Sequence, residues 1–389
     1  MSFNTRTEEL LTTLVSFDTT SACSNLELID FVEGMLREVG IASRITFNAA
    51  RTKANLFATL RGGDETERPC GLVLSGHTDV VSVRGQTWSS DPFTLSERDG
   101  RLYGRGSCDM KGFIASALAL VPEVAKSAGK PVYLALSYDE EVGCLGVPAL
   151  LADLAQSGIR PAGCVIGEPT GMQPVLAHKG TLAYRCCVRG SEMHGSLAPR
   201  GVNAVENAAR IVTRLAQLGE DLAQTGPYDA GYDVPHATVQ TGTIQGGQAI
   251  NIVAGQCEFG FELRHLPGSN PRALLAEVMS YAQTELLPRM RERHAPASID
   301  FKLLAEIPAS ELSQNHALAM EVIAALSPSA RVGYMGIGSE AGLFQRAGIP
   351  SLLCGPGSIL QAHQPDEFVE CSQLAACDAF LRNLCLEPP

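Results

Sequence analysis

Leu10, Leu11, Leu14 and Val15 fall at helical spacing behind Thr7 and Glu8, which predicts an amphipathic first helix. Farther along, apolar residues run together instead. Residues 54–61 (ANLFATLR), 70–76 (CGLVLSG), 131–138 (PVYLALSY) and 163–167 (GCVIG) read as strands. Helical segments at 111–127 and 146–157 lie between them. This alternation predicts an α/β layer on a mixed, mainly parallel sheet. Ligands of such sheets collect at the C-terminal ends of the strands.

From about residue 181 the pattern changes. Strands are expected at 181–190, 236–245, 251–265 and 298–305, with helices at 202–218 and 271–288 and a Gly246-Gly247 turn between the middle strands. The order β-α-β-β-α-β is the ferredoxin-like split unit. The α/β pattern then resumes with a helix at 316–326, a glycine-rich loop at 333–342, a strand at 350–354, a loop at 355–367 and a last helix at 371–385. The expected organisation is a discontinuous α/β domain, 1–180 and 308–389, carrying an inserted α+β domain, 181–307.

A chain of 389 residues suits about two cores, and 45% hydrophobic with 19% charged residues is a globular composition. No apolar run approaches the ~18 residues of a membrane span, and the start, Met1-Ser2-Phe3-Asn4, has no basic stretch before an apolar core. The expectation is a cytoplasmic protein without a membrane partner. A net charge of -12 argues against non-specific nucleic-acid binding, since phosphate repulsion would go unopposed. Twelve cysteines without a C-x-x-C pair, many in apolar runs, read as reduced, buried small hydrophobes.

Five polar stretches interrupt these runs at strand exits. In Ser75-Gly76-His77-Thr78-Asp79, a histidine past a strand can bind metal through one ring nitrogen while Asp79 takes the other N–H. In Gly104-Arg105-Gly106-Ser107-Cys108-Asp109, two glycines let the backbone bend before a carboxylate, which reads as a metal ligand, a helix N-cap or both. Asp139-Glu140-Glu141 is either a solvated acidic loop or a set of acids around something positive, with adjacent side chains facing opposite ways. Glu168 ends an apolar strand before Pro169, and His363 lies in a Gly/Pro-shaped loop. Two histidines with carboxylates suit two divalent ions of the zinc or cobalt type.

The stretches Ser75–Val80, Gly106–Gly112, Asp139-Glu140-Glu141 and Gly167-Glu168-Pro169-Thr170 resemble the aminoacylase/succinyl-diaminopimelate desuccinylase/acetylornithine deacetylase metallohydrolases over nearly the whole chain. Asp91–Leu95, Gln173-Pro174-Val175, Ala177–Gly180 and Gln361–Glu367 are most similar to the acetylornithine deacetylase branch. The resemblance implies hydrolysis of an N-acyl amino acid, N2-acetyl-L-ornithine first, with other N-acyl amino acids or a dipeptide as alternatives. It implies Asp109 as a bridging carboxylate, His77 and Glu168 completing one metal site, Glu141 and His363 the other. Glu140 is then the general base, Asp79 the partner of His77, and the peptide after Asp109 cis. It also implies that the inserted domain is a lid and homodimerisation domain whose His194 stabilises the oxyanion, and that Asn251 and Arg264 bind substrate. Arg264 either clamps the substrate carboxylate or pairs with Glu262. Glu340, in the glycine-rich loop, is expected either to meet the ornithine ammonium or to cap the following helix. His178 and Lys179 read as packing residues at the domain junction.

Overall fold

The computed structural model describes residues 5–62, 71–311, 316–326 and 330–386. Residues 1–4, and Cys70 of the expected 70–76 strand, lie outside them. The chain divides into two compact units. The first comprises Met1–Ala177, Ser310–Tyr334 and Ser339–Pro389, and the second His178–Ala309 with Met335–Gly338.

The first unit is built on an eight-stranded mixed sheet. Its order is Ser43–Phe47, Ala54–Arg61, Val132–Ser137, Leu72–His77, Gly163–Ile166, Ser351–Leu353, Val175–His178 and Gly333–Met335. The four central strands run parallel, and every residue in them is buried, as expected of strands covered on both faces. Ala54–Arg61 pairs antiparallel with both Val132–Ser137 and Ser43–Phe47, and Val175–His178 pairs antiparallel with Ser351–Leu353. The helix Gly112–Val124 covers this sheet and is buried almost all round, whereas Thr5–Ser16 buries only its Leu10, Leu11, Leu14 and Val15 side with Thr7.

Register decides what emerges together. His77 pairs with Ser137, Ser75 with Ile166, and Leu353 with Ile166. The exits of four strands therefore share one rim, and His77, the 139–141 loop, Glu168 and the 355–367 loop all begin there.

In the second unit, four antiparallel strands take the order Thr238–Gly246, Gln256–His265, Gly180–Arg189, Ser298–Ile307. The helices Ala204–Thr225 and Pro271–Tyr281 complete the ferredoxin-like unit. Alternation sends Leu182, Tyr184, Cys186 and Val188 of one strand, and Cys257, Phe259, Phe261 and Leu263 of its neighbour, into a core shared with Ala208, Ile211 and Leu215. Asn203 and Asn270 cap the two helices through Glu206 N (3.2 Å) and Ala273 N (3.1 Å). His178 is buried with its Nδ1 2.9 Å from Lys179 O, and Lys179 Nζ donates to Val234 O and His236 O.

Some elements differ from expectation. The helix Leu26–Glu38 and the three-stranded sheet Phe368–Glu370, Arg101–Tyr103, Ser96–Arg98 were not anticipated. The strand expected from residue 251 begins at Gln256, because Gly247, at φ 74°, opens a longer turn. The 271–288 helix passes through a π turn, Ala282–Leu286, and continues as Leu287–Arg293. The 333–342 loop contains the short strand Gly333–Met335 and the start of the helix Ala341–Arg346. All described cysteines are free, and no described helix is long and apolar enough to cross a membrane.

Candidate metal centre

The last residue of the strand Leu72–His77 is the first member of the site. His77 is buried, with Nε2 3.0 Å from Asp109 Oδ1. Its Nδ1 lies 2.9 Å from the main-chain oxygen of Asp79 but 3.7 Å from the Asp79 carboxylate. The partner that fixes the ring is thus the Asp79 carbonyl, not its side chain as expected. The carboxylate accepts instead from Ser21 Oγ (2.7 Å), Glu140 N (3.0 Å) and Glu141 N (3.3 Å). A side chain two residues past His77 has turned to the backbone of the neighbouring strand exit, because those amides are otherwise unpaired.

Asp109 lies in a π turn, Ser107–Lys111, at φ −121° and ψ 92°, and its peptide bond to Met110 is cis. Gly106, at φ 80°, begins the turn, and a Cβ there would come within 2.6 Å of Val80. Asp109 is not the helix cap the sequence allowed: Lys111 occupies that position, and both Asp109 oxygens face imidazoles. Oδ1 is 3.0 Å from His77 Nε2, and Oδ2 is 3.4 Å from His363 Nε2. His363 Nε2 also lies 3.0 Å from Glu141 Oε2. Two sets of ligand atoms result, His77–Asp109–Glu168 and Asp109–Glu141–His363, each within 4.8 Å, with Asp109 in both.

The electrostatics are those of a site made for positive charge. Burial raises Glu168 to about 8, with the Asp109 charge adding to it, and among the described residues Glu168 Oε1 has no hydrogen-bond partner. Burial also raises Glu140 well above the carboxylate range, with Glu168 contributing. Hydrogen bonds to Asp109 and Glu141 lift His363 to about 10. Burial acts to lower His77, but the hydrogen bond and charge of Asp109 outweigh it and leave the ring well above its ordinary value. An orphaned buried oxygen on a carboxylate grouped with the His77 imidazole and the Asp109 carboxylate fits a divalent cation.

Residues around this set had no role in the sequence reading. Glu367, buried, accepts from Cys108 N (2.9 Å), Asp109 N (3.0 Å) and Arg105 NH1 (2.6 Å). Arg105, also buried, reaches Gln86 Oε1 at 2.6 Å, and Gln86 Nε2 donates to His363 O at 2.9 Å. The one signal present is general: an arginine that is buried requires an acid beside it. Lys53 pairs with Asp139, so that acid is engaged away from the others.

Glu340 is 1% exposed, and among the described residues nothing donates a well-formed hydrogen bond to either of its oxygens. It stands at the cap position of Ala341–Arg346 without capping it. Burial raises its carboxyl to about 7, with the Ser137 hydroxyl offsetting part of the shift. The remaining expected site residues belong to the second unit. His194 is exposed, and its Nδ1 accepts from Ser196 N at 3.2 Å. Asn251 is exposed beside it, its carbonyl accepting from Gly195 N at 2.7 Å. Arg264 is paired twice with Glu262 (3.1 and 3.3 Å) and donates to Gly336 O (3.2 Å), the ion-pair alternative.

A family model described as peptidase family M20/M25/M40 matches residues 73–387. Among solved structures, the chain is similar to an M20 family metallo-carboxypeptidase from Sulfolobus solfataricus, with 15% identity and a TM-score of 0.77, covering 98% of this chain and 99% of that one. It is similar to human carnosine dipeptidase 1 at 16% identity and TM-score 0.74, over 98% and 96% of the two chains. It is also similar to a dinuclear metal-binding M20 peptidase from Bacillus subtilis at 15% identity and TM-score 0.65, over 98% and 97%. At these identities the likeness concerns the fold.

Proposed function

The chain belongs to peptidase family M20/M25/M40, a family of metal-dependent hydrolases, and from that premise we propose that it removes the acetyl group from N2-acetyl-L-ornithine with two divalent cations, zinc or alternatively cobalt. The observation that carries this reading is the Asp109 carboxylate between two imidazoles, each with a further carboxylate of its own. His77, Asp109 and Glu168 would hold one cation, and Asp109, Glu141 and His363 the other. Bound there, the cations would polarise the acetyl carbonyl and bring the pKa of a water from ~15.7 toward ~7.

The protein's own groups do the rest. Glu140 takes the proton of the attacking water and returns it to the departing amine nitrogen, releasing acetate and ornithine. Its backbone is fixed by Asp79, and Cys144 Sγ donates to its Oε1 at 3.4 Å. Buried among acids, its carboxyl holds a proton more tightly than an exposed one, which suits a group that must both accept and give back. His194 is proposed as the oxyanion donor. With Nδ1 accepting from Ser196 N, its proton belongs on Nε2, where it can donate outward. Glu340, a buried carboxyl without a well-formed hydrogen bond among the described residues, is the acid proposed to meet the ornithine ammonium.

A second reading, dipeptide hydrolysis, is favoured by the solved structures named as peptidases that share the fold. The test uses chelated protein restored with zinc or cobalt. Acetate release from N-acetylornithine is compared with release from other N-acyl amino acids and with cleavage of dipeptides. Preference for N-acetylornithine supports the first reading. Turnover of dipeptides alone replaces it with the second.

A further inference from the structure

We propose that Glu367, Arg105 and Gln86 form one positioning chain that sets the two halves of the centre against each other, with Gln86 acting on the His363 half alone; this rests on the two-cation reading. Glu367 and Arg105 are each at most 1% exposed. One Glu367 oxygen takes both Cys108 N and Asp109 N, so it fixes the backbone leading into the shared carboxylate. The other takes Arg105 NH1 at 2.6 Å. Arg105 lies over the Trp88 ring, 5.0 Å from its centroid, and passes its NH2 to Gln86 Oε1 at 2.6 Å.

Gln86 is the junction. Its Oε1 accepts from Arg105 and also from Trp88 Nε1 at 3.1 Å. With both lone pairs engaged, the amide has one orientation, and Nε2 points the opposite way. It meets His363 O there, at 2.9 Å. A second tie runs beside it, from Ser89 N and Oγ to Asp366 Oδ1, both 2.9 Å.

His363 needs such support. Its side chain is 48% exposed, it sits at φ 63° and it belongs to a loop without regular structure. Among the described residues its Nδ1 has no hydrogen-bond partner, so the usual fixing of a ligating ring through its second nitrogen is missing. His77 has that fixing, from Asp79 O. The two imidazoles are therefore held differently, one by its own ring and one through its backbone. Gln86 touches only the second.

The test is titration of chelated protein with cobalt(II), followed by calorimetry and visible absorption. Wild type should show two binding events, and His363→Ala should identify which of them depends on His363. In Gln86→Leu that same event should weaken about 10- to 100-fold more than the other, with a lowered metal-free melting temperature, because Arg105 NH2 and Trp88 Nε1 lose their acceptor. Gln86→Glu keeps the acceptor for Arg105 and Trp88 but cannot donate to His363 O, so it should weaken the same event. Two wild-type events that Gln86→Leu leaves unaltered, or weakens equally, would overturn the positioning chain alone. Fewer than two events in wild type would overturn the two-cation reading and this inference with it. Because Gln86 lies outside the buried ion pair, its variants fold where changes at Arg105 or Glu367 risk not doing so.

Discussion

Replacing Glu168 with glutamine should make the metal-free protein less sensitive to alkaline pH while abolishing its ability to hold a cation at the His77 side. Burial and the Asp109 charge raise the Glu168 carboxyl from 4.5 to about 8. The folded state thus keeps a proton that the unfolded chain has lost across that interval. Where the folded state binds more protons, stability falls as pH rises, and the fall levels off above the folded value. Between pH 5 and pH 8 this single group accounts for about 3 kcal/mol. Urea unfolding of chelated wild type should show a loss of that order, and Glu168→Gln should lack it. With zinc present the order should reverse. A site filled at 100 times its dissociation constant adds about 2.7 kcal/mol to wild type only. Parallel pH curves for the two metal-free proteins would refute the claim that Glu168 lies in an uncompensated acidic site.

Glu140→Ala should retain bound cobalt, seen by absorption, yet lose at least about 100-fold in kcat; near-normal turnover would remove Glu140 from the base role. Glu340→Gln should reduce the preference for N-acetylornithine over N-acetylmethionine, read as a ratio of kcat/KM values, and an unchanged ratio would eliminate the ammonium-binding role. His178 is buried and lowered from 6.5 to about 4, so the unfolded chain takes up its proton first and stability falls as pH drops through that window. Wild type should lose about 2 kcal/mol between pH 7.5 and pH 5 that His178→Gln does not lose, measured by denaturant melts. Gly167→Ala places a Cβ 1.9 Å from the Phe113 ring. It should lower stability by about 1–3 kcal/mol, since overpacking displaces a buried aromatic side chain.

The sheet was legible because its central strands are uninterrupted apolar runs, and the inserted unit because its strands alternate. His77 and Glu168 stand out for a related reason, as coordinating letters where an apolar run stops, whereas Asp109, Glu141 and His363 joined them as ligand candidates through the resemblance of their stretches to a known family. The helix Leu26–Glu38 also had a readable stripe, Leu28, Ile29, Val32 and Leu36, all buried. The three-residue strands at 96–103 did not, since so short a run carries no period. Gln86 and Arg105 were opaque for a different reason. Nothing local distinguishes a glutamine that accepts from a buried guanidinium from one that faces water, and the partner that gives Gln86 its role is His363 O, 277 positions away. Arg264 was ambiguous from sequence between substrate and Glu262, and in this structure the nearby acid occupies it.

Holding an imidazole through a peptide carbonyl shifts what mutagenesis can report. Side-chain replacement at position 79 leaves that oxygen in place, so the tautomer of His77 survives the change. What such a variant disturbs is the pair of amides at 140 and 141, and with them the proton carrier and one arm of the far ion site. A weakened Asp79 mutant would therefore be a readout of the glutamates, though sequence proximity would assign the defect to the histidine.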